Sequence, residues 1–230
     1  MSKRHFVIAF RLVLGLLALA GVVIQLYISI TRGLGVVNFF SYFTILSNIF
    51  AATVFIIAAV RLARGYVPND FDLAIRGASV VYMVFVGIVF SLLLRDVPLG
   101  ELLPWINTVH HYVMPVAVII DWILQPPRIK ILLKTALLWL VFPAVYVTYS
   151  LIRGPVSGFY AYPFFDPDVQ GGYGGVAAYC AAMLIGFLAV ALLIRWAGNR
   201  RVQSAETTGA ARATGAGRRA TGAGQRAEGP

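Results

Sequence analysis

Six apolar runs, at approximately 6–29, 38–63, 77–95, 103–124, 131–152 and 174–197, restrict this chain more than any other feature. Each is about twenty residues long, enough for a helix rising ~1.5 Å per residue to cross a hydrocarbon core of ~30 Å. In that solvent the backbone must satisfy its own hydrogen bonds, which favours helices. The expected fold is therefore all-α, a polytopic bundle of six transmembrane helices over residues 1–197. Composition supports this, because a chain 60% hydrophobic and 12% charged would expose wide apolar areas in water. No soluble catalytic domain fits in what remains. The run that opens at Phe6 is too long for a secretory leader and lacks a small-residue cleavage motif, so it is expected to be a membrane helix.

Basic residues set the expected orientation. Lys3, Arg4 and Arg11, then Arg61, Arg64 and Arg76, then Arg128, Lys130 and Lys134, and finally Arg195, Arg200 and Arg201 all fall toward one side. The other side has only Arg32, Arg95 and Arg153. The positive-inside rule places both termini and the second and fourth connections in the cytoplasm. The net charge of +10 then collects at the membrane edge, where anionic lipid headgroups, rather than nucleic acid, are the expected partners. From Gly198 the composition shifts to Gly, Ala, Thr and Arg, and the stretch Ala213 to Arg219 nearly recurs at Ala220 to Arg226. Residues 198–230 are expected to form a disordered, basic cytoplasmic tail.

Local features complete the outline. Pro143 should kink the fifth span. Residues 153–173 are rich in Pro, Gly and aromatics, and Phe159, Tyr160, Tyr162, Phe164 and Phe165 form either an interfacial belt or a lid over the bundle. The single cysteine, Cys180, rules out an internal disulfide and is expected to be a packed side chain.

Polar groups in hydrocarbon are costly, so they mark where chemistry could reside. The second span carries Ser41, Thr44, Ser47 and Asn48; the fourth carries Asn107, Thr108, His110, His111, Tyr112 and Asp121. Thr44 and Asn48 share one helix face, as do Asn107 and His111. With helices entering from the outer side near Asn38 and Leu103, Thr44 lies roughly 9 Å deep and His111 roughly 12 Å, so both fit one layer. A hydroxyl facing an imidazole near lipid ester carbonyls suggests acyl transfer, with Thr44 as nucleophile and His111 as base. Asn48, Asn107 and Tyr112 would support the site. Equally, the threonine and asparagines could serve only helix packing. Asp121 follows His111 by ten residues, roughly 15 Å, and is expected to be an interfacial or ion-paired carboxylate. Asn48, Asn107 or an outer-loop acid such as Asp96 or Glu101 is better placed to orient the imidazole. His110 and His111 point about 100° apart, which argues against a shared metal, and no Walker-type phosphate loop is present. No cofactor is expected.

The stretches Phe40-Ser-Tyr-Phe-Thr44-Ile-Leu-Ser-Asn48, His110-His-Tyr-Val-Met-Pro115 with Asp121-Trp122, Trp139-Leu-Val-Phe-Pro143-Ala-Val-Tyr146, Arg153-Gly154 and Tyr160-Ala-Tyr162-Pro163-Phe164 span about two-thirds of the chain. They resemble the androgen-induced membrane protein family, and within it the bacterial members. Animal members are integral membrane hydrolases of fatty acid esters of hydroxy fatty acids. The resemblance implies a multi-pass protein of a bacterial cell membrane, a lipid ester substrate, a threonine nucleophile at Thr44 and a histidine base at His111, with His110 as the alternative. The competing expectations are a non-enzymatic transporter or lipid-binding protein, and an assembly partner that binds through the aromatic outer loop.

Overall fold

The computed structural model describes residues 2–97 and 102–227, with side chains up to residue 203. Among the described residues every regular element is helical, with no strand. Helix α1 (Lys3–Thr31) is capped by the Ser2 side chain, which accepts from the His5 N–H. Its buried positions Val7, Arg11, Gly15, Ala18, Val22, Gln25 and Ser29 recur every three or four residues, so one stripe faces the bundle. Small residues in that stripe let neighbours approach closely; at Gly21, a Cβ would lie 2.9 Å from the His110 ring.

The second expected span is two helices, α2 (Val36–Phe40) and α3 (Phe43–Ala63). At the break, the Ser41 hydroxyl donates to the Val37 carbonyl at 2.6 Å, and the Tyr146 hydroxyl donates to the Ser41 carbonyl at 2.9 Å. Side chains thus take over from the backbone ladder. In consequence Thr44 sits in the first turn of α3 rather than two turns into a helix begun at residue 38.

Helix α4 (Asp70–Val89) starts earlier than the expected residue 77, because Asn69 and Asp72 form a reciprocal capping box. It continues through a π turn at Phe90–Leu94. A second π turn, Val109–Val113, joins α5 (Pro104–Thr108) to α6 (Met114–Leu124) without interruption. Pro115 explains it: its ring would clash with the His111 carbonyl four residues back, and the widened turn, with Met114 N–H donating to Val109, relieves this. Near one end of this segment the Leu103 N–H donates to Gln25 of α1, and near the other Asp121 meets Arg11 of α1, so it runs antiparallel along α1.

Helices α7 (Leu133–Leu138) and α8 (Val141–Ser157) are separated at Trp139–Leu140, directly before Pro143, which has no N–H for the Trp139 carbonyl. The kink expected there is present. Helix α9 (Tyr173–Ala227) closes the bundle. Helix α9 takes in residues 198–227 of the segment expected as a disordered tail, whereas Glu101 lies outside the described residues. Five helices, Lys3–Thr31, Phe43–Ala63, Asp70–Leu94, Leu133–Ser157 and Tyr173–Gln203, are long and apolar enough to cross a membrane. Their number makes this an integral multi-pass membrane protein.

A buried charge cluster ties three helices together. Arg11 of α1 donates to both carboxylate oxygens of Asp121, at 2.6 and 3.1 Å, and to Gln125 at 2.9 Å. Arg76 of α4 donates to Asp121 at 2.9 Å and to the Gln125 carbonyl at 3.0 Å. Asp121 is therefore ion-paired, with partners from α1 and α4 rather than with the neighbouring Arg128. Arg11 and Arg76 are interior groups, not surface flanks of the spans.

Trp139 packs its indole over Gly77 and donates to the Ala74 carbonyl at 2.8 Å. A Gly77→Ala methyl would run into that ring. Its expected cost is about 1–3 kcal/mol, read as a lower unfolding midpoint of the detergent-solubilised protein.

Candidate functional site

The first turn of α3 has backbone N–H groups that no preceding turn can satisfy. One belongs to Thr44, and it donates to the Tyr162 hydroxyl oxygen at 3.2 Å. The Thr44 side-chain oxygen lies 3.2 Å from the same phenol. Tyr162 arrives from the connection between α8 and α9, which folds inward: Tyr162, Phe164 and Phe165 are all buried. The lid alternative, rather than a belt of aromatics facing lipid, describes these three. A 3-10 turn at Pro163–Phe165 fixes them, Tyr162 stacks on Phe164 with centroids 5.0 Å apart, and Tyr42 meets Tyr162 edge-on at 5.7 Å.

Thr44 and Tyr162 together line a partly open cavity of about 330 Å³ bordered by α3, α4, α8, α9 and the inward connection. It is more than twice the ~150 Å³ engineered cavity that stays dry and binds benzene. Its wall is almost wholly apolar, including Phe43, Val86, Val147, Met183, Leu184 and Phe187. Cys180 also lines it. Burial pushes the Tyr162 phenol up to about 12, against the opposing pull of its bonds to Thr44, so it stays protonated at neutral pH.

None of the other expected site residues lines this cavity. The Asn48 side chain donates to the Thr44 carbonyl at 2.9 Å and to the His110 backbone carbonyl at 3.3 Å, which joins α3 to the π turn of the fourth segment. Its own carbonyl oxygen is buried without a partner, as is that of Asn107.

The two imidazoles are not equivalent. His110 uses Nε2 on the Ala18 carbonyl at 3.1 Å. His111 uses Nδ1 on the Asn107 carbonyl at 3.1 Å. A carbonyl oxygen only accepts, so His110 carries its proton on Nε2 and His111 on Nδ1. The bare nitrogen of His111 is therefore Nε2, the ring's outer end, while His110 is spent on joining α1. His111 also stacks on Phe90 with centroids 3.9 Å apart, in the π turn between the cavity-lining Val89 and Leu94. Neither imidazole hydrogen-bonds Thr44, and neither lines the cavity.

Three other expectations fare differently. Tyr112 is 41% exposed, with its ring edge on Phe90, so it does not reach the Thr44 region. Asp96 lies just beyond the π turn, with an exposed side chain 3.7 Å from Arg95. Among the described residues no three His, Cys, Asp or Glu side chains converge. The residue that sequence reasoning passed over is Tyr162. It was visible only as one of five clustered aromatics, because a side chain delivered by an irregular connection obeys no helical period.

Fold and site together define a helical multi-pass membrane protein with an apolar cavity lined in part by Thr44 and Tyr162. Comparison with known protein families, with curated proteins and with solved structures finds no match.

Proposed function

We propose that this chain is a six-span lipid esterase of a bacterial cell membrane, a relative of the androgen-induced membrane proteins, with both termini cytoplasmic. The segment 104–124 supplies the sixth span. It is helical over a length of ~31 Å and keeps company with α1 from Gln25 to Arg11. Orientation rests on the basic residues gathered on one side.

The observation that carries the enzymatic reading is the placement of Thr44. Thr44 lines an acyl-sized apolar cavity at the N-terminal turn of a helix, and its hydroxyl is held by a neutral phenol. In this reading the acyl chain of a lipid ester occupies the cavity with its carbonyl carbon at Thr44. The Thr44 oxygen bonds to that carbon, its proton passes to Nε2 of His111, and the alcohol leaves with a proton from the same imidazole. Water then cleaves the acyl-enzyme to a free fatty acid and restores Thr44. Because no imidazole bonds the resting hydroxyl, a water or a substrate oxygen completes the proton path. Asn48 joins α3 to the segment that carries the imidazoles, and the Asn107 backbone carbonyl orients the His111 ring.

That same gap favours a second reading, a non-enzymatic lipid-binding protein or transporter whose cavity simply holds an acyl chain. One experiment separates them. Purified protein is incubated with a branched fatty acid ester and, in parallel, with a fluorophosphonate probe. The esterase releases fatty acid and is labelled at Thr44, and His111→Ala is folded but inactive, whereas His110→Ala loses stability through Ala18 and retains turnover per folded molecule. Bound but uncleaved ester, with no label on Thr44, would establish the lipid-binding reading.

A further inference from the structure

We infer that the Tyr162 phenol is the oxyanion donor of this site: at rest its O–H holds the Thr44 oxygen, and during acyl transfer it turns to the carbonyl oxygen as that oxygen becomes charged. The inference rests on the esterase reading and adds a residue to it.

The hydrogen-bond inventory leads there. The Tyr162 oxygen accepts from the Thr44 N–H at 3.2 Å, which occupies a lone pair and leaves the phenol proton free to donate. The acceptor in reach is the Thr44 side-chain oxygen, also at 3.2 Å. With that oxygen accepting, the Thr44 proton is the one left to depart toward a base. When Thr44 bonds to an acyl carbon, the carbonyl oxygen stands one bond angle from the Thr44 oxygen, so rotation about the phenol C–O bond redirects the donor to it. A pure helix cap would need only the phenol's lone pair; here the side chain also forms part of the cavity wall.

The ring is held for this task by its stack on Phe164 and its edge contact with Tyr42, so little reorganisation accompanies the step. Burial keeps the phenol neutral and able to donate. The positive end of α3 supports the same negative charge. In the step itself the Thr44 oxygen forms a bond to the acyl carbon, the carbonyl π pair moves onto oxygen, and the Thr44 proton goes to the base. Tyr162 keeps its own proton throughout.

The probe is p-nitrophenyl butyrate, with release of p-nitrophenolate and acylation of Thr44 followed by mass spectrometry on the full-length protein. Tyr162→Phe keeps the ring packing. Its expected effect is a fall in kcat of about 10²–10³, the usual loss for one oxyanion donor, with KM within about twofold. A second form carrying difluorotyrosine at 162 keeps both hydrogen bonds and lowers the phenol's pKa, so the alkaline limb of its kcat profile should move to lower pH. A helix cap that plays no part in the chemistry would leave that limb in place. Wild-type kcat in Tyr162→Phe, or an unmoved alkaline limb in the fluorinated form, overturns the inference while the esterase survives. A wild-type protein that neither releases p-nitrophenolate nor gains acyl mass at Thr44 removes the esterase reading and this inference with it.

Discussion

Thr44→Ala is expected to release fatty acid from a lipid ester at least about 10³-fold more slowly than wild type, because no other hydroxyl stands in for the nucleophile. Ser47 and Ser41 are buried elsewhere on the same stretch, the first without a hydrogen-bond partner and the second bonded to Val37 and Tyr149, and neither lines the cavity. The fold should survive. Removing the hydroxyl deletes one bond to Tyr162, worth about 1 kcal/mol, while the backbone N–H of residue 44 still caps onto the phenol. Thr44→Ser should recover a measurable part of the rate. A steady-state assay on the two purified variants decides the matter, and full turnover in Thr44→Ala would remove the nucleophile assignment altogether.

Asp121→Ala is expected to produce the largest loss of stability, about 3–5 kcal/mol, because it strips the counter-charge from two buried guanidiniums. Arg11 and Asp121 are 2% and 4% exposed, so water cannot take over the pairing. Arg76 is already short of partners, with its Nε unbonded. Changing Arg11, Arg76 and Asp121 together to apolar residues of similar volume should recover much of the loss, since the ions are then no longer buried unpaired. Equilibrium unfolding in detergent measures both. A drop below about 1 kcal/mol for Asp121→Ala would mean that the cluster is hydrated rather than sealed.

The chain's membrane character was legible because hydrophobic run length is a direct consequence of bilayer thickness, and five of the apolar runs correspond to long helices. Where the structure departs from a plain count of spans, a particular residue explains it. Pro115 widens its turn, Pro143 follows a break, and the Asn69–Asp72 capping box extends α4 beyond its apolar part. The pairing of Thr44 with Asn48 and of Asn107 with His111 followed from helical spacing, although both bonds turn out to use backbone carbonyls. The partners of Asp121 were within reach of the same reasoning. An arginine at the sixth position of an apolar run demands a buried partner, and Asp121 was the carboxylate in need of one. Tyr162 was not legible in this way. Its position depends on how an irregular connection folds back over the bundle, and that is a property of packing rather than of spacing along the chain.

The Arg11–Asp121–Arg76 knot has a consequence for how the protein is made. A ribosome completes α1 and α4 before it reaches residue 121, so two guanidiniums arrive at the bilayer while their shared carboxylate, 110 residues behind the first, is still unsynthesised. Insertion of the fourth apolar segment is thus the event that supplies the counter-charge to both, and the buried charge of the bundle is balanced only late in translation.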